Sequence, residues 1–438
     1  MHLPKTTGTS RRSARGFGMT YSVTPVDGDP NIARIGRPIP VPDVPVEPVL
    51  SLASFFKNGP LTLPSVLDVG SALHLPSGRH AIARALEAMG LGAGDKVLLP
   101  AFHCASMVEP LAWTDSEPVF YRIQNDLSVD LADITSKIDD HCRVLMVTHY
   151  FGFPQDMGKI RDFCDKRGLK LLEDCAHSFF GRIEDQPPGS FGDYAIASPR
   201  KFFPMLEGGC LLSSDHPVDS FRLRRRGITE TARELLNTIA RAAHYRRLWA
   251  FAPLIEIVHW IRDRVSRRPV TNSFGVPDLS ASIGLIGENS GAPGAFDECG
   301  IDIRMSLVSS LIYRTVSKSR IVSRRRENYL TLLDQLSDLP GCRPLLPDLP
   351  VGVVPHLFPL WVDDLPRIFP KLEDLAVPMQ RFGQFLWPGV DQTICPVSVG
   401  LSRHLVQFPC HQEMSAQELR SVIERVRAVI GSASSPAR

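Results

Sequence analysis

From Gly168 to Asp215 the chain reads GLKLLEDCAHSFFGRIEDQPPGSFGDYAIASPRKFFPMLEGGCLLSSD, and this stretch decides the fold. The apolar run Lys170 to Cys175 has the length of a buried strand and delivers an acid, Asp174, at its end, with His177 three residues on. Gly189 and Gly192 mark a turn, after which a second short apolar strand, Tyr194 to Ala197, leads to Ser198 and Lys201. Glu207-Gly208-Gly209 then turns the chain into a third strand. Neighbours on a strand point to opposite faces, so one of Glu173 and Asp174 is expected to be buried away from any site.

An acid at a strand end and a lysine on the loop one strand later are what pyridoxal phosphate (PLP) chemistry requires. The lysine bonds covalently to the cofactor, and the acid keeps the pyridine nitrogen protonated so that the ring accepts electrons. The order Asp174-x-x-His177, Gly189-x-x-Gly192-Asp193, Ser198 with Lys201 and Glu207-Gly208-Gly209 resembles the DegT/DnrJ/StrS-type family of PLP-dependent sugar aminotransferases. That family's pattern runs D-x-A-Q/H, G-x-x-G-D, S-F-x-x-x-K, G-E/D-G-G. The step from Ser198 to Lys201 is shorter by two residues than in the pattern.

Ser77-Gly78-Arg79-His80 opens a helix, because Ile82, Ala85, Leu86 and Met89 follow at helical spacing and Gly90 stands where a C-cap belongs. The spacing leaves two readings open: a capped structural helix, or an anion site at the free N–H groups of the helix start. In the resembling family S-G-T-A stands here and holds the PLP phosphate, which implies Gly78, Arg79 and His80 as phosphate ligands. Next come a short buried strand, Lys96 to Pro100, and Ala101-Phe102-His103-Cys104. Cys104 takes the place where the family often has an aromatic ring against the cofactor. The imidazole of His103 is a second candidate for that face, against a structural role for a histidine at a strand end. The resemblance further implies Asp174 on the ring nitrogen, His177 near the phenolic oxygen, Ser198 on the phosphate and Lys201 as the amine that bonds the cofactor and moves the proton.

Pro118 to Ile123 and Arg143 to Tyr150 repeat the strand pattern, and Met157 to Arg167 reads as a helix closed by Gly168. Such alternation means a mainly parallel sheet covered by helices, with ligands at the carboxyl ends of the strands. The resemblance makes this an α/β protein of the PLP-dependent transferase fold type I, with a small C-terminal α/β domain. The expected organisation is a disordered or extended Pro-rich N-terminal arm (1–60), whose Pro38 to Pro48 run is extended and suited to packing across another subunit, a PLP-binding large domain (61–221), a basic helical insertion and loop (222–299), and the end of the large domain with the small domain (300–432). Gly300-Ile301-Asp302-Ile303-Arg304-Met305-Ser306 resembles the family's G-Y-N-Y-R-M-S, whose asparagine reaches the neighbouring subunit's cofactor phosphate. Asp302 in its place needs a cation beside it, for which Arg304 and Arg79 are the candidates.

With 438 residues, 43% hydrophobic content and a net charge of +2, the chain carries no overall nucleic-acid footprint. Nine scattered cysteines without a C-x-x-C pair point to a reducing cytoplasm and to no zinc site. Arg11-Arg12 is followed by no apolar core, so no signal peptide is expected. Between residues 222 and 268 twelve arginines face four acids around a mostly apolar run, Leu248 to Ile261, that is too short to span a bilayer. This segment reads as a helical subdomain packed on the core or on a partner, with peripheral contact to anionic lipid as the other reading. Ser198-Pro199-Arg200-Lys201 also matches the S-x-x-K of serine acyl-enzymes, but no K-T-G follows it downstream.

Taken with the resemblance, the residues imply a cytoplasmic homodimer that moves an amino group from glutamate to a keto sugar, most simply a nucleotide-linked one. Two alternatives stand beside it. One is a PLP-dependent sugar dehydratase, although the family's dehydratases carry histidine at the lysine's place; the other is a regulatory protein that kept the fold without turnover.

Overall fold

The computed structural model describes residues 40–57, 63–218, 221–248 and 296–433. Its large domain is a seven-stranded sheet built from β1 (Ser71–Leu75), β2 (Lys96–Pro100), β3 (Glu117–Tyr121), β4 (Cys142–Thr148), β5 (Lys170–Asp174), β6 (Tyr194–Ala197) and β7 (Gly209–Ser213), in the order β1-β7-β6-β5-β4-β2-β3. From β3 to β6 all pairings are parallel, and β7 runs antiparallel to both β6 and β1. The central strands are apolar along most of their length because helices cover both faces, as parallel sheets require.

Helices α1 (Gly78–Ala88), α2 (Ala105–Val108), α3 (Leu131–Lys137) and α4 (Met157–Arg167) connect these strands. α4 has the bounds its sequence signals: the Asp156 side chain accepts from the Lys159 N–H, and Gly168 ends the helix in the left-handed region at φ +66°. Beyond the sheet lie α5 (Ile228–His244), α6 (Leu307–Thr315) and α7 (Lys318–Leu336). The small domain follows, with a three-stranded antiparallel sheet of β8 (Cys342–Pro344), β9 (Leu357–Val362) and β10 (Leu405–Pro409) in the order β10-β9-β8. Helices α8 (Leu365–Asp374), α9 (Pro396–His404) and α10 (Ala416–Ala433) complete it.

α7 serves two cores at once. Its first turns place Ile321 and Val322 among the aromatic residues that surround the Lys201 loop, Phe179, Phe202 and Phe203. Further along, Tyr329, Leu332 and Leu336 enter the small-domain core.

Residues 40–57 pack along their own chain. Val44 is buried in the small-domain core, the His411 ring meets the Pro45 carbonyl at 2.9 Å, and Ser51 donates to Glu413 at 2.6 Å. A proline-rich sequence dictates an extended backbone and not its docking site, which these apolar and polar contacts decide. The described part of the 222–299 segment, α5 with its flanks, is docked on the core: Ser309 donates to Glu234 at 2.8 Å, and Arg247 pairs with Glu418 at 2.7 Å. The apolar run continuing to Ile261 and the loop at 269–295 lie outside the described residues. Among the described residues no helix is long and apolar enough to cross a membrane.

Candidate active site

Parallel register brings three strand ends together: Thr148 of β4 lies opposite Asp174 of β5, and Asp174 lies opposite Ile196 of β6. The start of α1 closes this edge of the sheet. It approaches so closely that a Cβ on Gly209 would stand 2.1 Å from the Ser77 carbonyl oxygen, which is why the turn into β7 is glycine. The resulting cleft is lined by Ser77, Gly78, Arg79, Ser198 and Arg200, together with Cys104, Asp174, Ala176, His177 and Lys201. Phe382, from the small domain, forms part of its wall.

Ser77 is the N-cap of α1 yet makes no capping bond with its side chain. Its hydroxyl lies 2.9 Å from His80 Nδ1, while His80 Nε2 lies 2.8 Å from the Asp297 carbonyl oxygen. A carbonyl only accepts, so Nε2 carries the ring hydrogen and Nδ1 accepts from Ser77. The helix start therefore offers its N–H groups to an anion instead of to its own cap. Arg79 lines the cleft and is paired with Glu109 at 3.3 Å.

Asp174 is almost fully buried, and its Oδ1 accepts from the Ala176 N–H at 2.9 Å. Burial raises its pKa above the ordinary carboxylate value, against the pull of the Ala176 N–H and of Lys201. A protonated pyridine nitrogen placed beside it would offset that burial and favour the carboxylate. Lys201, on the single turn Pro199–Lys201, is buried too, and desolvation pulls its ammonium below the usual range while Cys104 and Asp174 pull it up. Burial also pushes the Cys104 thiol up; its Sγ sits 2.8 Å from Ser106 Oγ. His177 stacks on His356 with centroids 4.6 Å apart and accepts from the Phe151 N–H at 3.4 Å. Burial, helped by Lys201, holds its pKa well below 6.5, so it acts as a neutral ring.

Two sequence expectations, those for His103 and Asp302, are corrected by side-chain direction. The His80 ring turns away from the cleft toward the 296–300 turn, where Gly300 leaves it room, so only its backbone N–H at the helix start is left for the phosphate role the resemblance implies. His103 does not stack in the cleft either. Its ring lies against Phe120 with centroids 4.8 Å apart, Nδ1 meets the carbonyls of Pro100 and Ala101, and Nε2 accepts from the Trp387 N–H at 2.9 Å. Of the two candidates for the ring face, Cys104 alone lines the cleft. Asp302 is paired with Arg84 and not with Arg304 or Arg79. His103→Ala is expected to lower folding stability by about 2–3 kcal/mol through lost packing and an orphaned Trp387 N–H, with PLP affinity unchanged. Urea unfolding and a PLP titration check both halves.

Glu173 is the strand neighbour that faces away. Its oxygens accept from the N–H groups of Gly189, Phe191 and Gly192 and from His149 Nε2, so the acid organises the glycine turn. His149, Glu173 and Cys175 bring donor atoms within 4.8 Å of one another, but the Glu173 oxygens are already taken by these hydrogen bonds. The sequence reading missed Ser106, Arg200 and Phe382. Arg200 adjoins Lys201 in the motif, whereas Phe382 comes from another domain and carries no local signal.

Residues 63–246 match the model of the DegT/DnrJ/EryC1/StrS aminotransferase family. Over that stretch the chain is similar to this family. Over 167 residues the chain is 32% identical to a GDP-perosamine synthase of Vibrio cholerae, covering 37% of this chain and 46% of that protein, less than half its length. A longer match, 23% identical over 374 residues, covers 83% of this chain and 86% of a dTDP-4-dehydro-2,3,6-trideoxy-D-glucose 4-aminotransferase of Saccharopolyspora spinosa. Among solved structures, NtdA of Bacillus subtilis with bound cofactor PMP aligns with a TM-score of 0.53 at 20% identity, covering 83% of this chain and 74% of that one. The fold is the α/β fold of PLP-dependent aminotransferases, and the DegT/DnrJ/EryC1/StrS family is PLP-dependent. The cleft suits that cofactor, with a helix start and Arg79 for a phosphate, a buried carboxylate for a ring nitrogen and a buried lysine.

Proposed function

We propose that this chain is a PLP-dependent aminotransferase of the DegT/DnrJ/EryC1/StrS kind that moves an amino group from an amino acid, glutamate in the first instance, to a nucleotide-linked keto sugar. The observation that carries the reading is that buried Asp174 and buried Lys201 line one cleft together with the start of a helix. When bound, PLP supplies an electrophilic carbon and a protonated ring that accepts electrons. Gly78, Arg79 and Ser198 would hold its phosphate, and Asp174 its ring nitrogen. His177, neutral by burial, orients through hydrogen bonding without competing for charge. Lys201 Nζ would be the amine that bonds the cofactor and, once free, the group that takes the proton from the donor's Cα as general base and delivers it as general acid to the carbon the cofactor supplies. Desolvation favours its uncharged form, the form that attacks and takes protons.

Support for the sugar comes from the two relatives named above, whose names both specify sugar products or substrates. Lysine at position 201 favours amino transfer over dehydration. The test is a set of keto-sugar nucleotides offered with glutamate: amino-sugar product with 2-oxoglutarate release supports the reading, and dehydration or no reaction across the set contradicts it.

The proposal includes a homodimer in the cytoplasm. Leu307 and Leu311, one helical turn apart on α6, are 61% and 64% exposed, and Leu235 on the adjoining α5 is 47% exposed, an apolar surface suited to a second copy. Nine free cysteines suit a reducing compartment. Sedimentation velocity should give a dimer that Leu311→Glu converts to monomer; a monomeric parent chain contradicts the dimer.

A further inference from the structure

Arg325 is completely buried in the first half of α7 and spends its hydrogen bonds on neutral acceptors. Nε donates to Gln412 Oε1 at 3.1 Å, Nη1 to the carbonyls of Pro355 and His356 at 3.2 and 2.9 Å, and Nη2 to the Lys201 carbonyl at 2.6 Å. The Phe202 ring lies 4.5 Å from its Cζ. Glu413 and Glu47 act on it only at longer range, and although burial lowers its pKa to about 10 it remains a cation at neutral pH. A guanidinium buried without an adjacent carboxylate is costly, and an apolar residue would fill the position without that cost. What the arginine adds is a fork that holds specified carbonyls.

Gln412 repeats the device one residue along. While its Oε1 accepts from Arg325, its Nε2 donates to the Phe202 carbonyl at 2.8 Å. The carbonyls of Lys201 and Phe202 are thus gripped by side chains from α7 and from the loop after β10. The N–H groups of the same two residues are fixed inside their own turn, to Ser198 and Pro199. Lysine has four rotatable side-chain bonds, so the aim of its amine is only as definite as the backbone that carries it.

We propose that Arg325, assisted by Gln412, is a positioning residue for Lys201, locking the turn from which the amine is aimed and joining it to the 355–356 and 410–412 segments of the small domain. The proposal rests on the reading of Lys201 as the reactive amine. The next residue of α7 supplies a control: Arg326 also donates to backbone carbonyls, those of Pro350 and Val353, but to none in the Lys201 turn.

The test uses the full chain with Arg325→Gln, Arg325→Lys, Gln412→Leu and Arg326→Gln. Three quantities are read: the rate at which PLP becomes fixable to Lys201 by borohydride, followed by peptide mass; kcat against donor KM; and thermal melting. Arg325→Gln is expected to slow both PLP incorporation and kcat about a hundredfold with donor KM changed less than about threefold, the pattern of misaimed chemistry. Arg325→Lys should recover about tenfold of that loss, Gln412→Leu should lose about tenfold, and Arg326→Gln should keep the parent rates even if it melts lower. Parent rates in Arg325→Gln or Gln412→Leu overturn the proposal, as does an equal slowing in Arg326→Gln. Should Arg325→Gln fail to fold, Arg325→Lys and Gln412→Leu decide by the same criteria. A parent chain that fixes no PLP at Lys201 overturns the functional reading itself, and the positioning role with it.

Discussion

The Lys201→Ala protein is expected to fold, to hold PLP only without a covalent bond, and to lose turnover by about 10⁴-fold or more. Among the described residues Lys201 is the only lysine lining the cleft, so no second amine there can bond the cofactor or move the proton. Its burial makes the stability half of the result informative. The ammonium sits in a site that disfavours its charge, so replacing it with a methyl group removes a desolvation cost together with an attraction to Asp174. These opposing effects should leave the melting temperature within about 3 °C of the parent. Turnover within tenfold of the parent would remove Lys201 from the chemistry, and a collapse of the fold would show that its stem is a packing element.

Asp174→Asn should give the second largest effect: PLP retained, rate lowered about 10³-fold. Asparagine keeps the shape, and its carbonyl oxygen can still accept from the Ala176 N–H that Asp174 Oδ1 accepts now. What disappears is the negative charge that stabilises a protonated ring nitrogen, and with it the ring's capacity to take up electrons. In the parent, burial already raises the carboxyl's pKa, so a cation next to it is worth more than the same cation would be at a solvated acid. Steady-state rates with a PLP titration check this. Near-parent kcat would contradict the role given to Asp174.

The parts of the fold that could be read in advance are those whose cause is local. β2 and β6 have the bounds their apolar runs suggest, and α4 begins after its Asp156 cap and ends at a glycine in the left-handed region. The backbone positions of the site were legible for the same reason, because strand ends and a helix start fix where Asp174, Ser198 and Gly78 stand. Side-chain directions were not. The His80 ring is drawn to a carbonyl 217 residues away and the His103 ring to an N–H 284 residues away, partners that no neighbouring residue announces. Residues 40–57 show the same limit, since proline content sets their extension but Glu413 and His411 set their place. Arg325 stood in plain view within a run of three arginines. Only the fold distinguishes the one that is buried against Lys201 from its neighbours, which reach other carbonyls and a surface acid.

The most direct measurement of the central claim is to load the full chain with PLP, reduce it with borohydride, digest it and locate the added mass. The account predicts a single modified site, Lys201, and its disappearance when glutamate is added before the reductant. A cofactor mass on any other lysine, or none on the chain at all, would contradict it.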